Sequence, residues 1–320
     1  MKMLLGAALL FAVACAEAAP RAPEQVQAPA SPAQPATPAG PALPAVDGNR
    51  AFEHVKQMVA IGPRPAGSPA LDRTRAYITS QLEAMGLKVE PQRFMAATPV
   101  GQVAMANLRV TLPGTRPDRI IIASHYDTKP EKAFVFVGAN DAGSSTGLLI
   151  ELARVLKDKP REFTYELVFF DGEEAWGDWG TGNTFGSRHY VDAAKKDGTL
   201  MGVKAMVLLD MVGERNVQLR QDMSSTGWLN DIVWRAAGRL GHQRTFLADT
   251  TAVDDDHIPF INAGIPAIDL IDLDYPAWHT AGDTLDKLDP RSLQIVGEVV
   301  VAALPEIEAR LRARGGSRLR

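Results

Sequence analysis

The sequence predicts a single α/β domain in which buried strands lie between layers of helices. Three observations predict it. Runs such as Ile120-Ile121-Ile122-Ala123 and Leu167-Val168-Phe169-Phe170 are apolar without interruption, as strands covered on both faces are. These runs alternate with stretches of helical period, the pattern of α/β folds. No repeat and no second linker interrupts the pattern after Asn49, which places one domain over residues 48–315.

Taken in order, Ser68 can cap a helix running through Arg75, Ile78 and Leu82 to Gly86, which suits the position after a helix end. Strands are expected at 103–112, 120–125, 165–170, 203–210 and 267–273. Helices are expected at 147–157, 186–196, 226–240 and 290–312.

The chain of 320 residues is 46% hydrophobic and 22% charged, a globular composition. A formal net charge of -4 argues against a nucleic-acid partner, which needs a basic face. The one cysteine, Cys15, excludes an intramolecular disulfide and any multi-cysteine zinc site. A metal site must therefore use His, Asp and Glu. Composition does not address oligomeric state.

The first segment reads as an export address. Lys2 precedes an apolar run over 3–14, too short to span a bilayer but suited to a signal peptide. The run ends in Ala12-Val13-Ala14-Cys15, similar to a bacterial lipobox with Cys15 acylated. The alternative is cleavage within Ala16-Glu17-Ala18-Ala19 and release. Residues 1–15 are thus a signal peptide and 16–47 an Ala/Pro-rich linker holding eight of the 22 prolines. As polyproline II it could reach on the order of 80 Å. The expected location is exported: a lipoprotein facing the periplasm or cell exterior, otherwise periplasmic or secreted. Membrane contact would be through the lipid alone.

Ligand sites in open α/β sheets gather beyond the carboxyl ends of strands. Acids and histidines of this chain fall there repeatedly. The strand through Ser124 runs into His125-Tyr126-Asp127, the one through Phe170 into Asp171-Gly172-Glu173-Glu174, and the one through Leu209 into Asp210. The last strand is followed by Trp278-His279-Thr280, and Asp141 lies between glycines before a helix. Singly, Asp141 could cap its helix, Glu173 and Glu174 could be solvated, and Asp210 could be a turn residue. Together, carboxylates this close repel one another unless a cation neutralises them, and two imidazoles with carboxylates suit zinc. The remaining histidines, His54, His189, His242 and His257, read as structural or solvent-facing.

Ser124-His125-Tyr126-Asp127, Asn140-Asp141-Ala142-Gly143, Phe170-Asp171-Gly172-Glu173-Glu174, Leu209-Asp210 and Trp278-His279-Thr280 resemble the motifs of the zinc exopeptidases, which include bacterial aminopeptidases and glutaminyl cyclases. The resemblance implies a mixed, mostly parallel sheet with helices on both faces and the metal at the strand ends. For an aminopeptidase it implies two zincs held by His125, Asp141 (bridging), Glu174, Asp210 and His279. Asp127 would orient His125, and Glu173 would be general base.

Finer matches resemble the glutaminyl-peptide cyclotransferases: Phe136-Val137-Gly138-Ala139, Asp171 to Ala175 with Trp179, Phe185-Gly186-Ser187-Arg188-His189, Asp255-Asp256-His257-Ile258-Pro259-Phe260, and Trp278 before His279. That likeness implies one zinc on Asp141, Glu174 and His279, with His125 and Asp210 retained but not ligating. Glu173, Asp210 and Asp255 would form the catalytic acid network, and Trp179 and Trp278 the pocket walls. Substrates would be peptide N-termini: Gln cyclised to pyroglutamate with loss of ammonia, or a residue hydrolysed in the aminopeptidase alternative. A third alternative is a non-catalytic zinc-binding protein on the same scaffold. Two departures stand out. Ser124 and Thr146 replace a cysteine pair common in animal cyclases, and Asp269 stands where those cyclases place a histidine. For Asp255, helix capping with its neighbours Asp254 and Asp256 and active-site hydrogen bonding are both open.

Overall fold

In the computed structural model, which describes residues 45–317 apart from Asp178 and Thr181, the uninterrupted apolar runs form the centre of a six-stranded sheet. The expected signal segment with Cys15, and the linker as far as residue 44, lie outside the described residues. Along the chain come α1 (Gly48–Ile61), α2 (Pro69–Ala84), β1 (Val89–Thr98), β2 (Gly101–Leu112), β3 (Arg116–His125), α3 (Ser145–Leu156), β4 (Phe163–Phe170) and α4 (Phe185–Lys196). There follow β5 (Val203–Asp210), β6 (Leu219–Asp222), α5 (Gly227–Leu240), β7 (Phe246–Thr251), α6 (Ile258–Asn262), β8 (Ala267–Ile271) and α7 (Pro290–Ser317).

The sheet order is β1-β2-β4-β3-β5-β8. The pairs β4–β3, β3–β5 and β5–β8 are parallel, and the hairpin β1–β2 joins β4 antiparallel. This is the expected mixed, mostly parallel sheet. Strands β6 and β7 pair separately, in parallel.

Alternation along the central strands sorts side chains between two cores. Ile120, Ile122, Leu167, Phe169, Val207 and Leu209 face one core with residues of α1, α2, α3, α5 and α7. Ile121, Ala123, Val168, Phe170, Met206 and Leu208 face a smaller core with α4 and α6. Helices therefore cover both faces. Close packing of α1 on α3 depends on Gly147, where a Cβ would lie 2.6 Å from the Ala51 carbonyl oxygen. Among the described residues no helix is long and apolar enough to cross a membrane.

The boundaries differ from the sequence reading in instructive places. Val46 is buried in the main core, and the Asp47 side chain caps α1 by accepting from the Asn49 and Arg50 N–H groups. The folded body thus includes residues that the reading put in the linker. The strand expected to reach 273 ends at Ile271, and α7 runs on to Ser317. Helix α1 and strands β1, β6 and β7 were not anticipated.

His54 of α1 is hydrogen-bonded through Nδ1 to the Tyr77 hydroxyl at 2.7 Å. Burial, reinforced by Arg50, lowers its pKa to about 4. The unfolded chain then binds more protons than the folded one between pH 6.5 and 4, so this contribution to stability is present above pH 6.5 and lost on acidification through that window. In a series of melting temperatures against pH, His54→Gln should flatten the limb between pH 6.5 and 4. A slope unchanged from wild type would count against the assignment.

Candidate metal centre

The parallel strands deliver their terminal residues to one edge of the sheet. His125 is the last residue of β3 and Asp210 the last of β5, and Glu173 and Glu174 follow β4 by three and four residues. Asp141 sits in a π-helical turn, Ala139–Ser144, where its own dihedrals depart from helix (φ -105°, ψ 97°). His279 comes from the loop after β8 and takes a left-handed conformation (φ 51°), a strained state that clusters at functional sites.

The predicted ligands converge. His279 Nε2 lies 3.2 Å from Glu174 Oε2 and 3.3 Å from Asp141 Oδ2. His125 Nε2 lies 3.2 Å from both Asp141 Oδ1 and Asp210 Oδ1. Donor atoms around a tetrahedral zinc stand about 3.3 Å apart, given bonds of about 2.0–2.2 Å. Two groups could therefore hold a metal ion, Asp141–Glu174–His279 and His125–Asp141–Asp210, with Asp141 turning one oxygen to each.

The groups differ in how well they are satisfied without a cation. Both Glu174 oxygens are buried and have no hydrogen-bond partner, although His279 Nε2 is near. Such a carboxylate suits a cation. His125 Nε2 and Asp210 Oδ1, by contrast, share a hydrogen bond. The residues present fit zinc, and the Asp141–Glu174–His279 group needs it more.

Electrostatics agree. Burial, with Asp141 beside it, raises Glu174 to about 7. Burial raises Glu173 well above the usual carboxylate range, against the lowering effect of His125, and raises Asp210 to about 6. Burial opposes the charging of His279, but the Asp141 and Glu174 carboxylates beside it lift it to about 9. A divalent cation among these groups would reverse both tendencies, favouring ionised carboxylates and neutral imidazoles.

Other residues hold the ligands. Asp127 accepts the N–H groups of Glu173 (3.1 Å) and Glu174 (3.3 Å) while standing 3.4 Å from His125 Nδ1. It thus orients three site residues rather than the one expected. Asp283 accepts the N–H groups of Asn140 (2.8 Å) and Asp141 (3.2 Å) and the Tyr275 hydroxyl. The fully buried Arg64 donates to the carbonyls of Tyr126, Val137 and Gly138. Neither Asp283 nor Arg64 was found by sequence reasoning. Arg64 stands between Pro63 and Pro65, an unusual setting that could have drawn notice. Nothing local marks Asp283, whose partners lie 142 and 143 residues away.

A cavity of about 390 Å³ opens onto the centre. Glu173, Asp255, Trp179 and Trp278 all line it, as expected. Both tryptophans line the cavity while remaining partly exposed, at 39% and 40%. Trp278 lies over the His279 ring, centroids 4.4 Å apart, and Phe136 meets that ring edge-on. Asp255 is buried: its Oδ1 accepts the Asp256 N–H, and its Oδ2 has no hydrogen-bond partner. No side chain caps α6, so capping is not the role of Asp254, Asp255 or Asp256. Ser124 and Thr146 face each other with their hydroxyls 3.4 Å apart, and His257 is fully buried.

Comparison with known proteins follows the same lines. Residues 107–304 match peptidase family M28. The glutaminyl-peptide cyclotransferase of Bothrops jararaca is 30% identical over 278 residues, covering 74% of this chain and 75% of that protein. An Acidobacteriales bacterium glutaminyl cyclase superposes with a TM-score of 0.81 at 38% identity, over 87% of this chain and 100% of that one. A Zn-dependent exopeptidase from Parabacteroides distasonis gives 0.74 at 25% identity, over 83% and 99%. The strand-end ligands, the sheet order and the match over 107–304 agree: this chain belongs to peptidase family M28.

Proposed function

We propose that this protein is a zinc-dependent glutaminyl-peptide cyclotransferase, converting an N-terminal Gln to pyroglutamate with release of ammonia. The observation that carries the reading is that Glu173, the Asp141–Glu174–His279 group and two tryptophans share one small cavity. Cyclisation needs the Gln side chain folded back onto its own α-amine, and a narrow aromatic slot enforces that conformer. The similarity to cyclases in sequence and structure supports the same reading.

The chain's residues divide the work. Trp179 and Trp278 hold the folded side chain and exclude water. Glu173 accepts the proton from the attacking α-amine and returns it to the departing amide nitrogen, so that one C–N bond forms, one breaks and ammonia leaves. Asp255 and Asp210 flank Glu173 and complete the acid network. One zinc, held by Asp141, Glu174 and His279, would polarise the γ-carbonyl when bound.

The second reading, a di-zinc aminopeptidase with Glu173 as general base, draws on the His125–Asp141–Asp210 group and the family's name. The unpartnered Glu174 oxygens put the stronger demand for a cation on the Asp141–Glu174–His279 group, which supports the one-zinc reading. The proposal also takes the protein to be exported and acylated at Cys15, on the apolar run and the lipobox-like residues before it.

Side by side, the purified protein should release ammonia from Gln-peptides and leave Leu-anilides intact; anilide release without ammonia would favour the peptidase. Metal analysis after mild dialysis should find one zinc per chain rather than two. Glu173→Gln should keep that zinc yet lose about 10²- to 10⁴-fold in kcat, and retained turnover removes Glu173 from its role. Glu174→Ala should lose both zinc and activity, and activity persisting in it would overturn the ligand assignment.

A further inference from the structure

Asp222, the last residue of β6, does not line the cavity but is completely buried. Its Oδ1 accepts the Val253 N–H at 3.0 Å, and its Oδ2 accepts the Ser225 hydroxyl at 2.8 Å. The same Oδ2 lies 3.1 Å from His257 Nε2. An ionised carboxylate offers only acceptors, so His257 bonds to it as the tautomer with hydrogen on Nε2. Val253 and His257 are the two ends of one five-residue segment. Between them lie Asp254 and Asp255, which line the cavity with Val253 itself.

The segment 253–257 has strong reason to move. It lies outside every regular element, and it presses Asp255 towards Glu173, with Asp256 and Asp269 also near. Buried carboxyl groups are better solvated outside, and release of the segment would let Asp255 reach water. Asp256 is tied by the Ser187 hydroxyl, but that bond holds only the middle of the segment. The Asp222 carboxylate holds both ends.

We propose that Asp222 and His257 are positioning residues, a buried clamp that pins the two ends of segment 253–257 and so keeps Asp255 against Glu173. Neither group touches the reacting atoms; they act through the loop. The functional half rests on the cyclase reading, whereas the clamp itself does not.

The test compares His257→Ala, His257→Gln and Asp222→Ala in the zinc-loaded protein. Amide hydrogen exchange over 252–258 is measured together with kcat and KM for a Gln-peptide and with zinc content. A Gln at 257 can place an N–H donor near the position of His257 Nε2, whereas Ala cannot. His257→Ala and Asp222→Ala should speed exchange over 252–258, lower kcat about 10- to 100-fold and leave KM and zinc nearly unchanged. His257→Gln should restore slow exchange and most of kcat. Wild-type exchange over 252–258 in His257→Ala would overturn the clamp, as would a loss in His257→Gln equal to that in His257→Ala. Should Asp222→Ala fail to fold, the His257 pair carries the test alone. Wild-type turnover of Gln-peptides tests the cyclase reading separately, because the exchange measurement needs no turnover.

Discussion

A dense set of buried carboxylates can persist only if positive partners stand among them, and much of this fold meets that requirement. Asp127, Asp141, Glu173, Glu174, Asp210, Asp255 and Asp283 are all buried near one sheet edge. Charge of this density would disrupt a core without compensation. Three kinds of partner can supply it. Two imidazoles lie within about hydrogen-bond reach of three of these acids, Asp141, Glu174 and Asp210. Main-chain N–H groups point at Asp127 and Asp283. A third would be a cation at Glu174, whose two oxygens have no hydrogen-bond partner. The strained His279 backbone, the unusual turn at Asp141 and the buried Arg64 all serve to bring these groups together.

Much of this was legible in the sequence because the central strands are covered on both faces. Continuous apolar runs mark β3, β4 and most of β5, and the polar residues at or shortly after the ends of parallel strands are the candidate ligands. Edge elements carry no such mark. Strand β1 alternates exposed and half-buried residues and contains Pro91, and β7 exposes half of its length, so neither reads as sheet. Helix α1 has apolar spacing of its own in Ala51, Val55 and Met58, but its cap, Asp47, belongs by composition to the Ala/Pro-rich stretch before it. The residues that hold the ligands were hidden for a different reason. Arg64 reaches Tyr126, Val137 and Gly138, Asp283 reaches Asn140 and Asp141, and Asp222 reaches Val253 and His257, all at least 31 residues away, and no local pattern records such pairings. His257, read as structural or solvent-facing, is fully buried and bonded to Asp222, an attachment the sequence does not reveal.

The pairing of Asp283 with the Asp141 turn has a consequence for how the centre is built. His279 and Asp283 lie on one late loop, and the turn that they complete was laid down nearly 140 residues earlier. Contacts of such sequence separation form late in folding, because the intervening chain must first be ordered. Every strand of the sheet precedes that loop in the chain. A nascent chain that has emerged only through β8 therefore has the sheet and the acids but no His279 and no Asp283 to fix Asp141. Assembly of the candidate metal centre is thus a late step of folding, completed only when the loop that carries His279 and Asp283 has docked.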